Sequence, residues 1–176
     1  TRTGTVVQSR DRWNLMDPDV LAWRYQGSPT RAELNQLAQV RIALEPEAAR
    51  LAAEAATEAD LARVEAAYQL MSGALGEPDE FIAADLEFHQ AVFFASGNDL
   101  LVTMFQLLGV AFAEVRQVHT RSLRRNQQTL PDHEAVLIAL RERDGDRAAA
   151  LMRTVVTEAA HDVRKARRRR AAEQDG

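Results

Sequence analysis

Apolar positions recur three and four residues apart along most of this chain, the spacing that lines one face of an α-helix rather than the alternation of a half-buried strand. Leu34, Leu37, Leu44 and Ala48 mark one such face, Phe81, Ile82, Phe88 and Val92 a second, Phe105, Leu108 and Phe112 a third, and Val136, Leu137 and Leu140 a fourth. Residues at the boundaries agree. Asp17-Pro18 supplies an N-cap and a first-position proline for a short helix carrying Val20, Leu21 and Trp23. Thr30 and Glu33 form a capping box for a long helix to about Ala55, with Pro46 expected to bend it. Thr57 caps a helix to about Leu75, Pro78 opens one ending near Ser96-Gly97, and Asn98 caps another to about Arg124. Pro131 is expected to open a helix ending near Asp144, and Gly145 separates it from the last, about Asp146 to Arg168. The fold class predicted is all-α: an antiparallel bundle of about six to seven helices joined by short loops. Residues 1–29 lead in with a short helix, 30–170 form the helical domain, and 171–176 read as a disordered tail.

Composition narrows this further. A length of 176 residues suits one domain, and 8 Gly with 5 Pro leave little turn chemistry for a strand-rich fold. The chain has no cysteine, which excludes disulfides, thiolate nucleophiles and cysteine-bound metals. The longest apolar stretches, such as Leu107 to Ala113, are too short to span a bilayer, and no charged-then-apolar leader opens the chain, so a cytoplasmic location without a membrane partner is expected. Six of the 22 basic residues lie between Arg164 and Arg170, whereas residues 1–163 carry a net charge of −8. An acidic body is a poor reader of nucleic acid, because phosphate binding needs a basic face.

Several polar residues fall where the core should be. Asp85 and His89, four apart, sit in the middle of the apolar arc of the helix from Pro78, and a carboxylate facing an apolar interior demands a partner. His133 sits at the centre of the arc of Val136, Leu137 and Leu140. A divalent metal held by one carboxylate and two imidazoles would account for all three, and so would a hydrogen-bonded Asp-His pair beside an unrelated core histidine. Arg41 also faces inward, with Glu45 one turn on; it is either half of an ion pair or a bidentate clamp on a ligand carboxylate. Arg116 lies at the edge of the Phe105, Leu108 and Phe112 arc and His119 within it, positions that snorkelling or core packing explains as well as ligand contact. Trp13 and Trp23 read as packing residues, and His161 lies on the polar side of its helix.

Three stretches carry a resemblance: LAQVRIALEPEAARLAAEAAT (Leu37 to Thr57), ADLEFHQAVFFASGNDLL (Ala84 to Leu101) and DHEAVLIALRERDGDRAAALM (Asp132 to Met152). Together and in this order they resemble the effector-binding domain, of the FCD type, of GntR-family transcription regulators in the fatty-acid-regulator subfamily. The opening WNLMDPDVLAW looks most like the linker of the galactonate-operon-repressor branch, whose members sense sugar acids, and Thr1 to Val7 look like the end of a winged-helix domain that the chain itself lacks. The resemblance implies a metal site drawing an Asp and a His four apart on one helix, a His opening a later helix, and a further His on the last. Asp85, His89 and His133 match the first three positions, while the fourth falls on Val155, between Leu151 and Ala159. Three ligands can still hold Zn²⁺, Ni²⁺ or Mn²⁺, with water or an effector oxygen completing the shell and affinity reduced. By the same resemblance Arg41 faces a central polar cavity and contacts an anionic effector; Arg116, His89 and His133 are further candidate effector contacts.

The function expected is that of a sensor: a small carboxylate, sugar-acid-like, binds in the polar interior of a homodimer and shifts the attached winged-helix domains on operator DNA. Two other classes remain open at this point. One is a structural dimerisation bundle with no effector. The other is a metal-dependent enzyme built on a two-His-one-Asp site, disfavoured because no strands exist to form the barrel that usually houses that chemistry and no separate general base is evident.

Overall fold

The computed structural model describes the backbone of residues 4–25, 29–119 and 123–174; the side chains of 114–119, 125 and 161–174 lie outside the description. Among the described residues a 3₁₀ turn, Arg10–Arg12, precedes seven helices: α1 (Pro18–Tyr25), α2 (Arg31–Ala55), α3 (Glu58–Gly73), α4 (Pro78–Ala95), α5 (Asp99–His119), α6 (Leu123–Arg141) and α7 (Gly145–Gln174). No strand occurs among the described residues, so the all-α reading holds.

The predicted caps form with the expected atoms. Thr30 Oγ1 accepts from the Glu33 amide at 3.2 Å while the Glu33 carboxylate accepts from the Thr30 amide at 2.8 Å, and Thr57 with Asp60 repeats the arrangement for α3. Asn98 Oδ1 accepts from the amides of Leu100 and Leu101 at the start of α5. Gly97, at φ 64°, takes the left-handed conformation that ends α4. Arg143 adopts the same conformation at φ 61°, unusual for a residue with a Cβ. Its guanidinium donates to the carbonyl of Ala56 at 2.7 Å, covering the C-terminal end of α2.

Two boundaries differ from the sequence reading, and both involve tertiary packing. Pro131 does not open α6: the helix begins at Leu123 and Pro131 lies within it, two turns from the start. A proline is tolerated inside a helix when burial of the surrounding face outweighs the lost hydrogen bond, and Asn126, Leu130 and His133 supply an inward face that continues across it. At the other end, α7 continues past Arg168 to Gln174, so residues 171–174 are helical rather than a tail, and 175–176 lie outside the description. Pro46 also sits inside an unbroken helix. It cannot donate to the carbonyl of Ile42, and Arg153 on α7 reaches that carbonyl at 3.4 Å.

Packing follows from side-chain size. Ala48, Ala49, Ala52 and Ala53 on α2 are fully buried, which lets neighbouring helices approach closely; α7 runs along α2, and Gly145 lies so near Arg50 that a Cβ there would meet its carbonyl oxygen at 3.2 Å. The apolar interior forms two clusters. One joins α2, α3, α4, α6 and α7 around Phe81, Phe88, Val136 and Leu140; the other joins α1, α2, α4 and α5 around Leu37, Phe93, Phe105 and Phe112. Trp23 does not pack as expected: it is 74% exposed, and Trp13 instead donates to the carbonyl of Gln8 at 2.8 Å.

Candidate functional site

Within this interior α2, α4 and α6 bring five charged or ionisable side chains together. Arg41 and Glu45 come from α2, Asp85 and His89 from α4, and His133 from α6, with exposures from 0% at Glu45 to 8% at Asp85. Each pair on one helix is four residues apart, which stacks both side chains on the same inward face.

The contacts are specific. Arg41 Nε lies 2.5 Å from Glu45 Oε1 and its NH2 lies 3.3 Å from Oε2, so the guanidinium forks onto its own helix neighbour. The ion-pair alternative for Arg41 is the one the geometry realises. Glu45 also faces His89, with Oε2 2.5 Å from Nδ1, an arrangement that directs His89 Nε2 toward Asp85 Oδ1, 3.8 Å away. His133 Nδ1 donates to the carbonyl of Thr129 at 2.8 Å, one turn earlier on α6, so Nε2 is the nitrogen that faces the cluster. That Nε2 is buried, makes no hydrogen bond, and lies 3.2 Å from Asp85 Oδ1. Phe88 holds both rings edge-on, with centroids 5.8 Å from His89 and 5.1 Å from His133.

Burial alone would disfavour the charged form of Glu45, but the guanidinium of Arg41 and the imidazole of His89 outweigh it and hold the carboxyl well below the usual carboxylate range. The same ion pair overcomes burial at Arg41 and holds its guanidinium above the ordinary value.

Asp85, His89 and His133 each offer one ligand atom within 4.8 Å of the others, so the predicted trio does converge. His133 Nε2 and Asp85 Oδ1 lie 3.2 Å apart, close to the separation of two ligand atoms on one tetrahedral ion. Both imidazoles have their other nitrogen anchored, one on Glu45 and one on a backbone carbonyl, the second layer that orients metal-binding histidines. The residues therefore fit a divalent metal. Val155 is 7% exposed in the apolar cluster that includes Phe88, and its side chain has no atom to coordinate an ion. The side chains of Arg116, His119 and His161 lie outside the described residues.

The sequence reading underrated two residues. Glu45 was visible one turn from Arg41 but not as the partner of His89, which arrives from another helix. Thr129 carries no signal, since it acts through its main-chain oxygen.

The FCD domain matches this chain over residues 36–158, which hold all five of these side chains. The chain belongs to the FCD domain family. It is the effector-binding domain of a GntR-family transcriptional regulator. The galactonate operon transcriptional repressor of Escherichia coli (strain K12) is 34% identical over 158 residues, covering 87% of this chain and 67% of the repressor. The regulator LutR of Bacillus subtilis (strain 168) is 34% identical over 127 residues, covering 69% of this chain and 58% of its own length. Among solved structures, McbR/YncC of E. coli shares the fold at a TM-score of 0.69 with 18% identity, covering 77% of this chain and 66% of that one. The chain thus spans about two thirds or less of these proteins. Because the FCD domain is a regulatory domain and the relatives are regulators, the domain is not an enzyme, and the catalytic alternative falls. No helix among the described residues is long and apolar enough to cross a membrane.

Proposed function

We propose that this FCD domain senses a small carboxylate, sugar-acid-like, held at Asp85, His89 and His133 together with a divalent ion such as Zn²⁺, Ni²⁺ or Mn²⁺. The observation that carries the reading is the convergence of three buried ligand atoms, one each from Asp85, His89 and His133, within 4.8 Å of one another. Arg41 is engaged by Glu45, which also faces His89 and orients its ring. A divalent ion held there attracts a carboxylate oxygen, so metal and acid should favour each other's binding. When bound, the ion supplies Lewis-acid attraction for effector oxygens. Three side-chain ligands leave coordination positions for those oxygens, and Val155 adds no competing donor.

Arg41 supports the site through Glu45, holding the carboxylate that orients His89, rather than by clamping the effector directly. His89 and His133 meet the effector through the ion, and Arg116 remains a candidate effector contact. A relative named for the galactonate operon is in keeping with a sugar acid. The assembly we propose is a cytoplasmic homodimer whose occupied sites shift winged-helix domains on operator DNA, as two-fold symmetric operators require. A tenfold preference of the effector for one arrangement moves that equilibrium by about 1.4 kcal/mol, enough to alter operator occupancy.

Calorimetric titration of Zn²⁺ into chelator-treated protein tests the metal assignment. The parent should bind, and Asp85→Ala should weaken binding at least tenfold by removing the only anionic ligand; equal affinities would take Asp85 out of the site.

A further inference from the structure

Asn126 is the most conspicuous polar residue outside this cluster. It lies on the two turns of α6 before Pro131, is 0% exposed, and neither Oδ1 nor Nδ2 has a hydrogen-bond partner among the described residues. A buried carboxamide with a donor and an acceptor both unmet is costly, and native interiors rarely retain one without a reason.

Its position supplies the reason. Asn126 precedes His133 by seven residues, two helical turns, so both side chains project from one face of α6, about 10 Å apart along the axis. The two are linked along the backbone: Thr129 Oγ1 donates to the Asn126 carbonyl, and the Thr129 carbonyl accepts from His133 Nδ1. His133 Nε2, also buried and without a hydrogen bond, marks the other end of this face. We infer that Asn126 is a specificity-determining contact for the far end of the effector, hydrogen-bonding a distal hydroxyl of a polyhydroxy acid whose carboxylate end sits at the Asp85, His89 and His133 cluster. This inference rests on the proposed sensing function.

The chemistry matches on both sides. A hydroxyl donates once and accepts twice, so one distal hydroxyl can meet both halves of the amide, whereas a charged residue there would select a second charge on the ligand. The separation along α6 selects length. An extended six-carbon acid anchored by its carboxylate reaches Asn126, and a two- or three-carbon hydroxy acid does not. A site built to hydrogen-bond a hydroxyl rejects ligands lacking it, because its own polar atoms then stay unpaired.

The test compares Asn126→Leu and Asn126→Ala with the parent, each loaded with Zn²⁺, by calorimetry against D-galactonate, D-gluconate and glycolate. The parent should prefer at least one six-carbon acid to glycolate by tenfold or more; both variants should lose that preference while binding glycolate as the parent does. Without ligand, Asn126→Leu should melt no lower than the parent, since it removes unsatisfied polar atoms. Parent-like selectivity in both variants overturns the inference and leaves the sensing function standing. An equal loss for glycolate in both variants overturns it too, because the effect would then be on the whole site. A parent that binds none of the three acids overturns the sensing function, and this inference with it.

Discussion

At Arg41 the inward charge has two plausible uses, and its neighbour decides between them. Both contacting nitrogens fork onto Glu45, and Glu45 in turn orients His89. Removing the guanidinium therefore strands a buried carboxylate instead of merely opening space. Arg41→Ala is expected to destabilise the fold by about 3 to 5 kcal/mol, as for a broken buried ion pair, measured by urea denaturation. A loss under about 1 kcal/mol would mean that the pair is solvated. Val155 gives the opposite kind of test. Its aliphatic side chain stands where the family resemblance implies a fourth ligand, so Val155→His should tighten Zn²⁺ binding by tenfold or more in calorimetry. Unchanged affinity would show that the register of α7 against the cluster does not bring position 155 to the ion.

Helices carry their own start signals, and those proved readable. Capping boxes at Thr30 and Thr57 depend on side chains three residues apart, so no other part of the fold is needed to form them. Thr30→Ala is expected to cost about 1 kcal/mol, seen as a lowered melting temperature with the helical circular dichroism signal retained. The cap also carries a pH dependence. Hydrogen bonds from the Thr30 amide and hydroxyl hold the Glu33 carboxyl below its ordinary value. A lowered folded-state value stabilises the fold above the unfolded glutamate range, about pH 4.3, and that contribution fades as pH falls below it. The Thr30→Ala deficit should thus shrink on acidification from pH 7 toward pH 3; a constant deficit would mean that Glu33 contributes nothing through the cap. Proline positions were less legible. Pro131 reads locally as a helix start, yet α6 runs through it because the inward face continues on both sides. The carbonyl that Pro46 leaves without a helical donor finds Arg153 on a helix more than a hundred residues later.

For the whole molecule, the consequence of a buried cluster of converging ligand atoms is that stability depends on what occupies it. An ion or acid that binds only the folded state stabilises it by RT ln(1 + [L]/Kd), about 2.7 kcal/mol at a hundred times Kd. In a chain of this size that corresponds to a rise of about 5 to 10 °C in melting temperature. Zn²⁺ with a six-carbon acid should raise the melting temperature more than the sum of their separate effects, and chelator should abolish the acid's contribution. Additive shifts would argue against a shared site.

Helical periodicity, caps and the inward placement of Asp85, His89, His133 and Arg41 were decided by the sequence alone, because each depends on residues within one or two turns of a single helix. Which of those side chains meet was decided by the tertiary structure. Glu45 joins His89 across α2 and α4, His133 reaches Asp85 across α6 and α4, and Asn126 is enclosed without a partner among the described residues only once α6 extends past Pro131. Spacing along one helix gives the direction of a side chain, whereas helix packing sets the distances between helices, and the chemistry of this interior lies in those distances.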